Sequence, residues 1–261
     1  MDPNKYLFNL EKSLTDSRDL MLESVYPDTV ILPKIWDYRK QMQPIRDQGQ
    51  QGSCSAQTAG AIRECQEKIE NPQFNEYMSP QFIYNLRSEG GTSGMTPRDT
   101  MEILYKIGIV PEESYKYGTF KPISEDLRTA AAKYKIQGYA QINTLDSLQK
   151  ALFAHGPCYI AFPVYNPENL EFWVPESIGQ QMMGGHALCV AGYLEESFII
   201  RNSWSSAWGD AGYTYFPFTQ WGMQWEAWTA IDADSNSDTL ADKVEQVTCT
   251  PESCEEIIEK K

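Results

Sequence analysis

Residues 48–70 read QGQQGSCSAQTAGAIRECQEKIE, and their meaning turns on Cys54, where a glycine-punctuated loop gives way to an alanine-rich helical pattern. Ser53 suits an N-cap, and Ser55–Glu70 reads as the helix that follows. A thiol at a helix N-terminus sits among unpaired N–H groups whose partial positive charge favours the thiolate, the form that attacks carbonyl carbon. Gln48, six residues upstream, stands where a side-chain amide can point at the same carbonyl. The stretch therefore implies a cysteine nucleophile that needs a base.

The chain has two histidines. His155 follows an amphipathic helical pattern, where the helix dipole favours it. His186 lies in MMGGHALCVAGY (182–193), after two glycines and at the head of an apolar, strand-like run. FIIRNSWSSAWGDAGY (198–213) follows and carries Asn202, Trp204 and Trp208. A lone histidine on such a run is more often structural than catalytic. Cys54, Gln48 and Asn202 in company with His186 reverse that weighting, because together they supply a nucleophile, a base, a group to orient the base and an amide donor.

In this order the motifs resemble the papain-like cysteine peptidases, in which His and Asn follow the Cys by roughly 130–150 residues. Here the separations are 132 residues to His186 and 148 to Asn202. Further blocks carry the resemblance: LPKIWDYR from Leu32, QPIRDQG, MSPQFIYNL, GIVPEESYKY over Gly108–Tyr117, and RNSW followed by WGDAGY. It covers Leu32 to about Ile231.

The resemblance implies a chemistry. Paired with an imidazolium at a helix start, a thiol of ordinary pKa about 8.5 can fall to roughly 3–4. Cys54 would attack a peptide carbonyl; His186 would protonate the leaving amine and then activate the hydrolytic water. Asn202 would accept from the imidazole N–H, with Trp204 shielding that bond. The Gln48 amide and the Cys54 N–H would hold the oxyanion. Ser93, Gly94 and Met95 align with the turn whose backbone pairs antiparallel with the substrate's second residue. Gly185, Ala187 and Ala161 would line the pocket for that residue's side chain, with Trp204 and Trp208 around the active site. No charge falls among these positions, which implies an apolar preference. No metal or cofactor is implied. The partner is a protein or peptide substrate, and the chain is expected to act as a monomer.

Some positions depart from the family pattern. Ser55 replaces the aromatic residue that usually follows the nucleophile, Met95 stands where many relatives have glycine, and Gln51 replaces a cysteine that forms a disulfide in secreted relatives. The last substitution fits a reducing compartment.

Composition agrees. The chain has 261 residues, enough for one large core or two modest domains. A formal charge of −14 argues against a nucleic-acid groove. No run approaches the roughly eighteen apolar residues of a membrane span, and the N-terminus lacks an apolar signal-peptide region. A cytoplasmic location is expected, or packaging in a virion if the source is viral.

The expected fold is α+β, a papain-like two-domain arrangement. Residues 32–120 form a helical domain with helices at Ser55–Glu70, Ser79–Arg87 and Thr96–Ile107. Residues 121–231 form a β-barrel-like domain with a helix at Leu145–His155. Its strands are Cys158–Tyr165, His186–Tyr193, Ser197–Trp204, Ala211–Phe218 and Glu226–Ile231. The cleft lies between the two. Residues 1–31 are an extension with a partly helical pattern around Leu7, Leu10, Leu14, Leu20 and Met21. They read either as a helical arm on the surface or as a short pro-segment filling the cleft. Residues 232–261, with nine acidic and three basic residues, form an acidic tail. Cys65, Cys158 and Cys189 read as core thiols; Cys249 and Cys254 are a weak metal pair at best.

Two other functions share these features. One is a catalytically silent relative that binds peptides. The other is an aminopeptidase or amide-transfer enzyme gated by the tail.

Overall fold

The computed structural model describes residues 5–24, 31–87 and 94–232. Ser93, Cys249, Cys254 and the acidic tail after Asp232 lie outside them.

Among the described residues there are five α-helices: α1 (Cys54–Glu70), α2 (Pro80–Asn85), α3 (Pro97–Lys106), α4 (Glu125–Ala131) and α5 (Leu145–His155). Their starts are legible as caps. Ser79, Thr96, Ser124 and Thr144 each accept a backbone N–H three residues on, and proline opens α2 and α3. Ser53 behaves otherwise. It makes no side-chain cap, because its hydroxyl is bonded to that of Tyr117 at 2.6 Å, and the helix begins at Cys54 itself.

Helix α1 is the central element. From Cys54 to Gln66 every residue is buried, which only a helix rich in Ala, Gly, Ser and Thr can manage while neighbours approach on all sides. Its charged residues are paired internally. Glu64 accepts from Arg46 at 3.2 Å and from the Met78 N–H at 2.9 Å. Arg63 pairs with Glu67 and with Asp232. Removing one partner of such a buried pair leaves a charge without compensation, at a cost of about 3–5 kcal/mol.

Seven strands form one antiparallel sheet: β1 (Trp36–Asp37), β2 (Gly138–Ile142), β3 (Cys158–Val164), β4 (Gly184–Tyr193), β5 (Ser197–Arg201), β6 (Tyr213–Pro217) and β7 (Glu226–Ile231). The order is β2-β7-β3-β4-β5-β6, with β1 on β4. The sheet stays open rather than closing into a barrel-like form, since β2 and β6 do not pair among the described residues. Strands β3 and β4 are buried throughout apart from Gly184, one face against the α1 core and the other against an aromatic cluster of Phe162, Phe172, Trp173 and Phe216.

Residues 5–21 contain no α-helix. The leucine spacing reads as helical, but Leu10 is buried while Leu14 is 84 % exposed. The segment instead runs extended, and its backbone bonds to other parts of the chain. A short 3-10 turn at Leu22–Ser24 follows, with Leu22 buried.

Candidate active site

Helix α1 and strand β4, which pack on each other, carry the candidate nucleophile and base. Cys54 is the first residue of α1. His186 is the third residue of β4, and Ala187 beside it directs its backbone N–H at the Cys54 sulfur. Asn202 follows the end of β5, held by its N–H on the Gly212 carbonyl at 3.0 Å.

The Asn202 Oδ1 lies 2.8 Å from His186 Nε2 and also accepts the Ser203 N–H at 2.7 Å. The Ser203 N–H is a fixed donor and identifies this atom as oxygen, so His186 Nε2 carries the hydrogen. His186 Nδ1 makes no hydrogen bond and is the nitrogen left to exchange a proton. The indole of Trp204 is stacked on the imidazole, 4.5 Å between centroids at 21°, with Phe172 edge-on at 5.8 Å. Trp208 meets Trp204 edge-on at 5.3 Å. The His–Asn bond is thus covered by rings on several sides.

Gln48 is buried, and its orientation is set by Ser203, whose hydroxyl donates to Gln48 Oε1 at 2.7 Å. The amide nitrogen donates to the Gln51 carbonyl at 3.1 Å, leaving one N–H for another acceptor. Tyr117 donates to the Gln48 carbonyl at 2.8 Å. Ser203 and Tyr117 went unassigned in the sequence; their positions inside RNSW and YKY were the available signals. Ser55 is bonded to Thr100 (2.5 Å) and Tyr159 (2.7 Å), so a buried tyrosine from β3 fills the space beside it.

The cleft is occupied by the chain's own N-terminal segment. Lys5 pairs with Asp47 at 2.7 Å. Tyr6 stacks on Trp204, and Phe8 meets His186 edge-on at 6.4 Å. The Leu10 N–H donates to the Gly185 carbonyl (3.3 Å), Glu11 N–H to Met95 carbonyl (3.1 Å), and Ser13 N–H to Glu226 Oε1 (2.8 Å). Arg98 binds Asp19, the Leu14 carbonyl and, through its N–H, the Ser13 hydroxyl. At Gly94 and Gly184 a Cβ would collide with the carbonyls of Asn9 and Phe8, and at Gly52 with the Asn9 side chain. These glycines therefore let the segment lie against the walls.

The remaining predicted wall residues, Met95, Ala161 and Ala187, are buried in one cluster with Cys54 and Leu10. Met95, 3 % exposed, is buried in that cluster. Gly185 is covered by Leu10 and by the Trp225 ring. Contrary to a wall without charge, Glu226 sits beside Ala161, on a strand neighbour that sequence spacing does not reveal.

Burial sets the protonation state. It pushes the Cys54 thiol up to about 11, against the opposing pull of the Ala187, Ser55 and Cys54 N–H groups. It pushes His186 down to about 4, with the Asn202 bond acting the other way. With the segment in place the pair is thiol and neutral imidazole, the reverse of the thiolate–imidazolium pair, because water is excluded from both groups.

Among the described residues no cluster of His, Cys, Asp and Glu could hold a metal, and no helix is long and apolar enough to cross a membrane.

Comparison with known proteins agrees with this geometry. Residues 32–230 match the family described as papain family cysteine protease. The chain is 30% identical over 254 residues to the uncharacterized peptidase C1-like protein L477 of Acanthamoeba polyphaga mimivirus, covering 81% of each. It is 26% identical to cysteine proteinase 3 of Entamoeba histolytica, of whose length the match spans 61%. Among solved structures it resembles xylellain, a cysteine protease from Xylella fastidiosa, with a TM-score of 0.73 and 27% identity over 88% of this chain and 97% of that one. Procathepsin L2 of Tenebrio molitor, at 22% identity and a TM-score of 0.69, shares the fold. The chain belongs to the papain family of cysteine proteases.

Proposed function

We propose that this chain is an endopeptidase that hydrolyses peptide bonds through Cys54, and that residues 5–24 keep it latent until they leave the cleft. The observation that carries the proposal is the ordered His186–Asn202 bond with Nδ1 unspent, beside a cysteine at the start of a buried helix.

In the latent state the thiol and imidazole are neutral. Once the segment departs, water and the unpaired N–H groups at the start of α1 favour transfer of the thiol proton to His186. The thiolate attacks the carbonyl carbon of a bound peptide, and the oxyanion is held by the Cys54 N–H and the free Gln48 N–H. His186 gives its proton to the departing amine. It then takes one from water, whose oxygen attacks the thioester and regenerates Cys54. Asn202 keeps the ring in plane through both transfers.

The direction of the segment explains why it would inhibit without being cut. A substrate must place its second residue at Met95 and its leaving amine near His186 and Trp204. The segment meets Trp204 first, through Tyr6, then Gly185 through Leu10, then Met95 through Glu11. It therefore runs opposite to a substrate and presents no carbonyl in the attack geometry. The apolar walls Met95, Ala161 and Ala187, packed with Leu10, support apolar contact with the substrate's second side chain. Against the tail-gated alternative, the cleft position it requires is taken by residues 5–13.

The test is covalent labelling of Cys54 by a peptidyl epoxide or fluoromethylketone, with hydrolysis of a fluorogenic peptide, in the wild type and Cys54→Ala. Labelling and turnover lost together in the variant support the proposal. A wild type that labels but never turns over a peptide would point to the silent, binding-only relative. For latency, a chain beginning at Leu32 should label faster than the full-length one, and equal rates would remove the inhibitory role.

A further inference from the structure

We propose that Glu226 makes the pocket for the substrate's second side chain selective for a basic residue, lysine or arginine. The proposal rests on the peptidase reading above and names the substrate class of that same cleft. The sheet register supplies the geometry: Ala187 on β4 pairs with Ala161 on β3, which pairs with Glu226 on β7. Directly opposed residues of antiparallel strands project from the same face. The three side chains therefore form a row on the face that packs toward α1, two small apolar groups ending in a carboxylate.

That carboxylate is partnered in two different ways. Glu226 Oε2 accepts the indole N–H of Trp228 at 2.8 Å, an internal bond that holds the group in place. Oε1 accepts the N–H of Ser13, which belongs to the segment. When the segment leaves, Oε1 loses that donor. Glu226 is buried while the segment is in place, and a side chain entering over Ala187 and Ala161 in the segment's stead covers its carboxylate again. Leu or Phe would cover it without offering a hydrogen. Lys and Arg lay an apolar stem along such walls and bring a charged donor at the tip. The segment itself matches this division, with Leu10 in the apolar cluster and a backbone N–H on the charge.

Arg98 is the neighbouring cation. Its guanidinium lies 5.7 Å from the Trp228 ring centroid and is held by Asp19 and the Leu14 carbonyl, all contacts that depend on the segment except the ring. Once freed, it shares the field of Glu226 and limits the preference to about tenfold, the value of one charge-assisted bond.

The full-length chain is treated with two epoxide probes alike except for Arg or Leu at the second position. Opening of the segment is common to both, so the ratio of Cys54 inactivation rates reports the pocket. The expected Arg:Leu ratio is about ten in the wild type, near one in Glu226→Gln, and above ten in Arg98→Ala. A wild-type ratio of one or less, or a ratio unmoved by both substitutions, overturns the proposal. Failure of both probes to label the wild type, both full-length and after cleavage before Leu32, overturns the peptidase reading itself, and this inference with it.

Discussion

Tyr6 lies flat on Trp204, with 4.9 Å between ring centroids and 17° between planes, and donates its hydroxyl to the Trp204 carbonyl at 3.2 Å. Trp204 in turn lies on His186. The same indole therefore covers the His186–Asn202 bond on one side and seats the first ring of the N-terminal segment on the other.

Weakening that seat should open the enzyme. Aromatic stacking is worth about 0.5–1.5 kcal/mol beyond buried area, so Tyr6→Ala with Phe8→Ala should raise the epoxide inactivation rate of Cys54 about tenfold or more in the full-length chain. The same pair of changes should do nothing once residues 1–31 have been cleaved away. An unchanged rate in the full-length chain would show that the segment is not the barrier.

Ser203 is expected to act through Gln48. Its hydroxyl fixes the Gln48 amide at 2.7 Å, and losing one net hydrogen bond of about 1 kcal/mol leaves the donor loosely aimed. Ser203→Ala should lower kcat by roughly three- to tenfold with KM nearly constant, whereas Gln48→Ala should cost about 10²–10³ in kcat. A rise in KM with kcat intact would place Ser203 in substrate binding instead.

Acid should destabilise the fold against unfolding through His186, whose pKa falls from 6.5 to about 4 on burial. Between these values the unfolded chain binds the proton and the folded chain does not, so stability rises with pH across that window. Its contribution is complete above about pH 6.5 and is lost as pH falls through about 4. The shift corresponds to about 3 kcal/mol. Urea unfolding at pH 7 and pH 4 should show a larger difference in the wild type than in His186→Gln. Equal differences would rule the histidine out as the source.

Ser55→Ala should be a stability lesion. It strips Tyr159, fully buried, of its 2.7 Å partner, and an unsatisfied buried hydroxyl costs about 1–3 kcal/mol. In a chain of this size the melting temperature should drop by roughly 2–10 °C. A melting curve superimposable on the wild type would mean that Thr100 or water replaces the bond.

The candidate catalytic groups are legible in the sequence because each sits in a short run with its own local reason. Cys54 opens a helix, His186 enters an apolar strand after two glycines, and Asn202 lies two residues before Trp204. Leu145–His155 was readable to the residue, since Thr144 caps it and Gly156 ends it at φ 94°. What stayed hidden depends on partners far away in sequence. Glu226 faces Ala161 only through strand register, and Tyr159 reaches Ser55 across 104 residues. Strand β2 went unseen because Gly138–Ile142 alternates weakly and is pinned by β7. The leucines of residues 7–21 gave a helical spacing, yet the backbone there satisfies its hydrogen bonds on the cleft walls.

The protonation state of the covered site has a consequence for the proposed latency. A thiol beside a neutral imidazole holds the same number of protons as a thiolate beside an imidazolium. Exchanging one pair for the other moves a proton between Cys54 and His186 and takes none from solvent. By linkage, an equilibrium with no net proton uptake has no pH slope of its own. Within that exchange Cys54 and His186 are passengers of the latch and not its sensor; whatever the latch senses lies in the contacts that hold the segment, Tyr6 on Trp204 and the Lys5–Asp47 and Arg98–Asp19 pairs.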